Sequence, residues 1–431
     1  MSRVPTGRLR RLANLAKTSA TTGVALLRHA DDVASKVEKT TEVLSNMRGM
    51  ATKVGQMASY VDGIVPDQHR MVFEKSMAKL QSKAQTSTAS DIRAVVEEDL
   101  GGSISSLFAE WQDEPIASAS IGQVHRARLL DGRAVAVKVQ HPGIGEALEA
   151  DLDNGVVVKM AVDMFGMRRL EANRFHQEIR QRFLEELDYR LEARRQDEFR
   201  LLHLEDPDIR IPQVFLERTA ERVLTTEFVE GRPYAVVMHA REGARARYAE
   251  TLWRFVYGSM VLGGWFNADP HPGNYLFGED GHITFLDFGC VEQIPVERRR
   301  QVVSMHRAAA VGDWDSLNKA GAALLQTQGG AYEERALAYL REILRPVSES
   351  PFRLSPEYVR NVVQMFKANF KDFGKGEAGD GFVALPPGMI FLNRLQFGFY
   401  SILARLNAPV DYRDVEAKFM HRWDEMPESR G

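Results

Sequence analysis

Apolar positions recur every three or four residues at Val33, Val37, Val43, Leu44, Met47 and Met50, which predicts a helix from residue 31 to about 60. Asp67–Leu80 and Ala89–Leu100 also read as helices, the second stopped by Gly101-Gly102. The pattern then changes. Ile121–Leu130 and Arg133–Gln140 are short runs of β type joined by Asp131-Gly132, a strong hairpin signal. A charged helical stretch follows from about Ile144 to Leu202. Arg222–Val229 reads as a strand closed by Gly231, Ala244–Gly263 as a helix, and His282–Phe288 as a short strand between Gly281 and Gly289. Beyond about Val296 the chain is mostly helical. The order is helices, a small β-rich region, then a large helical region with an embedded hairpin-like stretch. That order predicts an α+β enzyme in two lobes with a cleft between them.

Composition narrows the classes. The chain has 431 residues, 44% hydrophobic and 27% charged, which suits one or two globular domains with a sizeable core. A net charge of -3 gives no general case for nucleic acid. The arginine-rich stretch Arg168–Arg200 is interleaved with Glu171, Glu178, Glu185, Glu186, Asp188 and Glu192, which would repel phosphates. A single cysteine, Cys290, excludes an internal disulfide or a cysteine-built metal site and points to a reducing compartment. Leu252–Phe266 contains Arg254 and is too short to span a membrane. Leu385–Leu406 contains Asn393, Arg394 and Gln396, and both stretches read as buried helices. Residues 1–30 hold Arg3, Arg8, Arg10, Arg11, Lys17 and Arg28 and no acid. Three readings fit them: a surface helix at anionic lipid, an organelle transit peptide, or a solvated terminus. Accordingly the expected location is cytoplasmic, with peripheral contact at a membrane, or mitochondrial or plastid if the segment is a transit peptide.

Three short motifs carry chemistry together. Lys138 ends the alternating run Val135-Ala136-Val137-Lys138 and shares a face with Ala136 and Ala134, where it can aim a charge at phosphates. Taken alone, it also reads as a solvated edge lysine. Asp269 and Asn274 stand five residues apart in Asp269-Pro270-His271-Pro272-Gly273-Asn274. In phosphoryl-transfer sites that spacing lets the Asp orient a nucleophile and the Asn hold magnesium; the bland alternative is a turn. Asp287-Phe288-Gly289 follows a strand, and its Asp suits a hard oxygen ligand for magnesium. The carboxylate that pairs with Lys138 is expected within Phe183–Ala193, where residues 185, 188 and 192 share one helical face, as do 186 and 189. No Walker-type phosphate loop occurs, nor any internal repeat.

With these residues in view, the sequence resembles the UbiB/AarF family of atypical protein-kinase-like ATPases. Lys53-Val54-Gly55-Gln56 matches the family's K-x-G-Q motif, and Ala117-Ser118-Ala119-Ser120-Ile121-Gly122-Gln123 its alanine-rich nucleotide loop. Glu186-Leu187-Asp188 matches its E-x-D motif, and Glu192 sits where the family places the lysine's partner. The resemblance implies a bilobal kinase-like fold with an N-terminal helical extension across the cleft and a mostly helical C-lobe. In it, Lys53, Gly55 and Gln56 obstruct a protein substrate, and Glu186 and Asp188 meet that extension. ATP or ADP lies on residues 117–123, Lys138 and Glu227; Asn274 and Asp287 hold Mg2+; and Asp269 with the Lys138–Glu192 pair does the catalysis. The implied division is residues 1–30 as a basic segment, 31–110 as the extension, 111–230 as the N-lobe with a helical insertion, and 231–431 as the C-lobe. ATPase activity and support of ubiquinone or other lipid metabolism are implied, with a lipid or quinone precursor as a candidate ligand.

Two departures from ordinary kinases are legible in the residues themselves. Alanines and serines replace most glycines of a phosphate loop, and alanine adopts positive φ less readily. Asn267-Ala268 replaces the His-Arg that precedes a kinase's catalytic Asp, and no Ala-Pro-Glu follows Gly289. A platform for a peptide substrate is therefore not expected. Transfer to a small molecule or lipid, or a nucleotide-sensing scaffold, are the alternatives to hydrolysis.

Overall fold

The computed structural model describes residues 87–119, 121–153, 180–181, 183–371 and 389–427. Helix α1 (Ala89–Leu100) starts where the Thr88 hydroxyl accepts the Asp91 N–H at 3.2 Å, and stops at Gly101, whose φ is +70°. A short helix α2 (Ile104–Leu107) leads into strand β1 (Phe108–Trp111). Then come β2 (Ala117–Ser118), β3 (Gly122–Leu129) and β4 (Ala134–Gln140). With β6 (Val223–Glu227) they form a sheet in the order β1-β3-β4-β6, with β2 also on β3 and every pairing antiparallel. The expected hairpin is β3–β4, turned at Gly132 (φ +91°), where Asp131 Oδ1 accepts the Arg133 N–H at 3.1 Å.

Alternation along β3 and β4 sorts the two faces of this sheet. Val135, Val137 and Val139 are buried and pack with Ile92, Val95 and Val96 of α1. Fully burying one such side chain contributes roughly 1.5–3 kcal/mol. Lys138, Ala136 and Val124 stand on the opposite, half-buried face.

The charged stretch Ile144–Leu202, expected to be helical, is mostly helical where it is described, and residues 154–179 lie outside the described residues. Helix α3 (Ile144–Asp153) and α4 (Tyr189–Leu202) are separate elements, with a turn at Glu186-Leu187 immediately before α4. Asp188 causes that break. Its backbone is extended (φ -105°, ψ 93°), and its Oδ1 accepts the Arg190 and Leu191 N–H groups at 2.9 and 3.3 Å, so it caps a new helix.

A second sheet runs β5-β10-β9-β7: β5 (Ile209–Arg210), β7 (Arg232–Pro233), β9 (Tyr275–Phe277) and β10 (Ile283–Phe285). β8 (Trp265–Asn267) pairs antiparallel with β11 (Val291–Gln293). The strand expected over His282–Phe288 is shorter, β10 alone, and the Leu286 N–H to the Asn274 carbonyl at 3.0 Å extends its pairing with β9 in register before the chain turns at Asp287. β5, β7, β8 and β11 had no sequence signal; two or three residues are too few to show a period.

After a short helix α5 (Tyr234–Val237) comes α6 (Glu242–Gly258), which continues as a π-helical turn, Ser259–Gly263. Gly264, at φ +70°, stops it and leads directly into β8. From α7 (Val296–Val311) to α13 (Tyr412–Glu425) the described residues are mostly helical, as the sequence indicates. Leu252–Phe266, read from sequence as a buried helix, is buried at Trp253, Phe255 and Phe266, but its helix ends at Gly263 and Phe266 lies on β8, because Gly264 in the left-handed region stops the helix. Among the described residues no helix is long and apolar enough to cross a membrane.

Candidate functional site

Lys138 projects from β4 towards α4, the helix that Asp188 starts. Its Nζ donates to Glu192 Oε1 and Oε2 at 2.8 and 3.0 Å and lies 3.4 Å from Asp287 Oδ2. Glu192 is buried, whereas the Asp287 side chain is 30% exposed, so the triangle opens on the Asp287 side. Burial opposes the lysine's charge, but Asp287 and Glu192 outweigh it and hold the ammonium well above its usual pKa. Burial lifts the Glu192 carboxyl; Lys138 pulls it down, and the Asp287 charge adds to the lift. The Lys138 Nζ also lies 5.0 Å from the centroid of the Tyr189 ring, whose phenol burial keeps protonated.

Asp287 stands just after β10. Its Oδ1 accepts the Gly289 N–H at 2.9 Å. A Cβ on Gly289 would lie 3.3 Å from Asp287 Oδ1, 3.5 Å from Glu192 Oε2 and 3.8 Å from Glu186 Cγ, so three acidic side chains converge on this glycine. Phe288 is fully buried, its ring 5.0 Å from Phe199 of α4 and 6.5 Å from Phe255 of α6. This aromatic contact anchors the Phe288 side chain between both helices.

Asp269 and Asn274 face each other across the loop between β8 and β9. Asn274 Nδ2 donates to the Asp269 carbonyl at 3.2 Å and approaches Oδ2 at 3.5 Å. The Asn274 oxygen is thus the atom of that amide suited to a cation. His271 is used locally, its Nδ1 accepting the Gly273 N–H at 3.0 Å.

One residue without a sequence signal of its own ties the two acid loops together. Asn267 Oδ1 accepts the Asp269 N–H at 3.0 Å, and its Nδ2 donates to the Asp287 carbonyl. In sequence the position registers only as a missing His-Arg. A usable signal would have been an Asn two residues ahead of the catalytic-loop Asp, a local hydrogen-bonding geometry asparagine favours.

The remaining candidates fall in several places. Ala117 and Ser118 are exposed on β2, and the Ala119 N–H closes a tight turn onto the Gly122 carbonyl at 2.8 Å. A Cβ on Gly122 would sit 2.2 Å from the Val139 carbonyl oxygen, so only glycine fits there. Ile121 is buried. Gln123 lies on the sheet face opposite Lys138, where it accepts the Ser87 N–H at 3.1 Å and meets His125 Nε2 at 2.9 Å. Glu227 pairs with Val135 in register and makes an ion pair with Arg210. Glu186 is buried beside Gly289, while the Asp188 carboxylate is used as the helix cap. Ser120, Lys53, Gly55 and Gln56 lie outside the described residues.

Among the described residues no group of three or more His, Cys, Asp or Glu could hold a metal ion unaided. The pair Asp287 and Asn274 nevertheless fits magnesium, which is commonly bound by one or two carboxylates with phosphate oxygens and water completing its shell.

Comparison with known proteins gives the family. The family model for the ABC1 atypical kinase-like domain matches residues 79–321, which contain Lys138, Glu192, Asp269, Asn274 and Asp287. The chain belongs to the ABC1, or UbiB/AarF, family of atypical kinases. It is 29% identical to the mitochondrial atypical kinase COQ8B of Rattus norvegicus over 404 residues, 90% of this chain and 72% of that one. To the mitochondrial atypical kinase COQ8 of Saccharomyces cerevisiae it is 28% identical, over 67% of this chain and 60% of that one. To the chloroplastic ACTIVITY OF BC1 COMPLEX KINASE 3 of Arabidopsis thaliana it is 34% identical, over 58% of this chain and 35% of that one. Among solved structures, the complex of Rv3197 with erythromycin from Mycobacterium tuberculosis superposes with a TM-score of 0.60 at 26% identity. That match covers 91% of this chain and 98% of the other. The bilobal kinase-like α+β fold expected from sequence is therefore the fold of this chain.

Proposed function

We propose that this chain binds ATP with magnesium and hydrolyses it, in support of quinone or other isoprenoid-lipid metabolism, and that it does not phosphorylate proteins. One observation carries the reading. Lys138, Glu192 and Asp287 form one ion triangle, and Asn267 connects Asp287 to the Asp269–Asn274 loop. Bound ATP and magnesium would supply the transferable phosphoryl group and the charge that stabilises its departure. Lys138, oriented by Glu192, would hold phosphate oxygens. Asp287 and Asn274 would hold the cation, and the Asp269 carboxylate would orient a water molecule and take up its proton. Such chemistry is mostly positioning and charge neutralisation.

The exclusion of protein substrates rests on the short connection after Gly289. Only residues 290–295 separate it from α7, and β11 uses three of them to pair with β8. That leaves no segment to cradle a peptide. The lipid connection rests on the family resemblance, and residues 1–30, rich in arginine and free of acids, suit contact with an anionic lipid surface.

The test tracks the label of γ-phosphate-labelled ATP incubated with the protein, magnesium and lipid vesicles. Release as inorganic phosphate is expected. Label on a lipid would replace hydrolysis by transfer, label on added protein would overturn the reading, and no turnover with intact binding would make the chain a nucleotide-sensing scaffold.

A further inference from the structure

Arg195 lies one turn along α4 from Glu192 and is 9% exposed, while its neighbour Arg194 faces solvent. Its guanidinium spans two elements. Nη1 donates to the Gly289 carbonyl at 3.2 Å, and Nη2 donates to Glu185 Oε2 at 2.6 Å. Gly289 in turn gives its N–H to Asp287 Oδ1 at 2.9 Å, and Asp287 Oδ2 lies 3.4 Å from Lys138. Lys138 returns to Glu192 at 2.8 Å. The contacts form a closed circuit: Glu192 along α4 to Arg195, across to Gly289, back to Asp287, then through Lys138 to Glu192.

We propose that Arg195 is a positioning residue for Asp287: it clamps the Gly289 peptide to α4, so that the metal-binding carboxylate and the phosphate-binding lysine are held in one arrangement. The inference rests on the magnesium–nucleotide reading of the site. A planar guanidinium presents its donors in a fixed fork, and lysine cannot reproduce two such bonds at once. Glu185 sets that fork from the far side and is itself approached by Gln181 Nε2 at 3.1 Å. Freed from Arg195, Gly289 no longer presents its N–H at a fixed place, and Asp287 Oδ1 loses its anchor. Lys138 keeps its bonds to Glu192, which do not pass through Gly289. Cation affinity and magnesium-free nucleotide affinity should therefore separate.

The experiment titrates magnesium against ADP binding by the full chain, with a parallel ADP titration in EDTA, for wild type, Arg195→Met, Arg195→Lys and Glu185→Gln. In Arg195→Met the half-saturating magnesium concentration should rise about tenfold, the usual size of effect when a metal ligand loses its supporting hydrogen bond. ADP affinity in EDTA should stay within about twofold. Arg195→Lys and Glu185→Gln should shift the same way by less, and they carry the test if Arg195→Met does not fold. Unchanged magnesium dependence overturns the inference, as does an equal loss of ADP affinity with and without magnesium. Absence of magnesium-dependent ADP binding in wild type overturns the reading of the site itself, which the variants alone cannot do.

Discussion

Lys138–Glu192 at the site and His306–Glu416 among the C-terminal helices are both buried acid–base pairs, yet they are finished differently. Glu416 Oε1 accepts the Trp253 indole N–H at 3.0 Å, and His306 Nδ1 meets both carboxylate oxygens at 2.9 and 3.1 Å. Both side chains of that pair are 5% exposed, and α6, α7 and α13 enclose them. The site pair is left open. Lys138 is 17% exposed and must also serve Asp287, which is 30% exposed. A polar network closed on all sides specifies how helices dock. A network with more carboxylates than cations, opening to solvent on one side, is instead suited to receiving a cation and phosphates. The contrast separates structure from function between two motifs of similar chemistry.

That contrast can be broken from either side. The largest effect is expected from Lys138→Met, which removes two charge-assisted contacts and leaves Glu192 and Asp287 without their cation. Nucleotide affinity should fall about a hundredfold, about 3 kcal/mol, by ADP titration. Binding like wild type would mean the site pair is as structural as the other one. Glu416→Ala should do the reverse. It strands the Trp253 and His306 donors and should cost about 3 kcal/mol of stability in denaturant unfolding, while the thermal shift given by magnesium and ADP keeps its size. A lost shift would show that the C-terminal network reaches the site.

The smallest effect belongs to the joint between the two regions. His203, at the C-terminal end of α4, meets Ser259 Oγ of the π-helical turn at 2.6 Å. Burial pushes its imidazole down to about 4, against a partial opposing pull from Asp206. The folded state thus binds fewer protons than the unfolded chain, whose histidine titrates near 6.5. The stabilising contribution is full above about pH 6.5 and is lost as pH falls towards 4. Relative to His203→Gln, wild type should lose about 2 kcal/mol between pH 7.5 and pH 5 in unfolding experiments. Parallel pH curves would contradict burial of a neutral His203.

How much of this was legible in the sequence depended on whether a motif is local. The β3–β4 hairpin and α1 announced themselves through Asp131-Gly132 and Gly101, where glycine supplies the positive φ a turn or helix end needs. Lys138, Asp269, Asn274 and Asp287 were visible because the chemistry dictates residue type and spacing. Glu192 could be singled out from its acidic neighbours only through the family pattern, and helical spacing misplaced Asp188, because an aspartate that caps a helix looks in sequence like one inside it. Arg195 was illegible for a related reason. Arg190, Arg194, Arg195 and Arg200 are alike in sequence, and only packing of α4 against the Gly289 segment decides which of them turns inward. Asn267 sits in a three-residue strand that carries no period at all.

The central claim is that Asp287 holds magnesium for a nucleotide bound at Lys138. Its most direct test is the melting temperature of wild type and Asp287→Asn with ADP, with and without magnesium, since a ligand bound only to the native state stabilises it by mass action. Wild type should show a magnesium-dependent rise that Asp287→Asn loses, leaving only the magnesium-free shift. The same magnesium-dependent rise in both proteins would contradict the account.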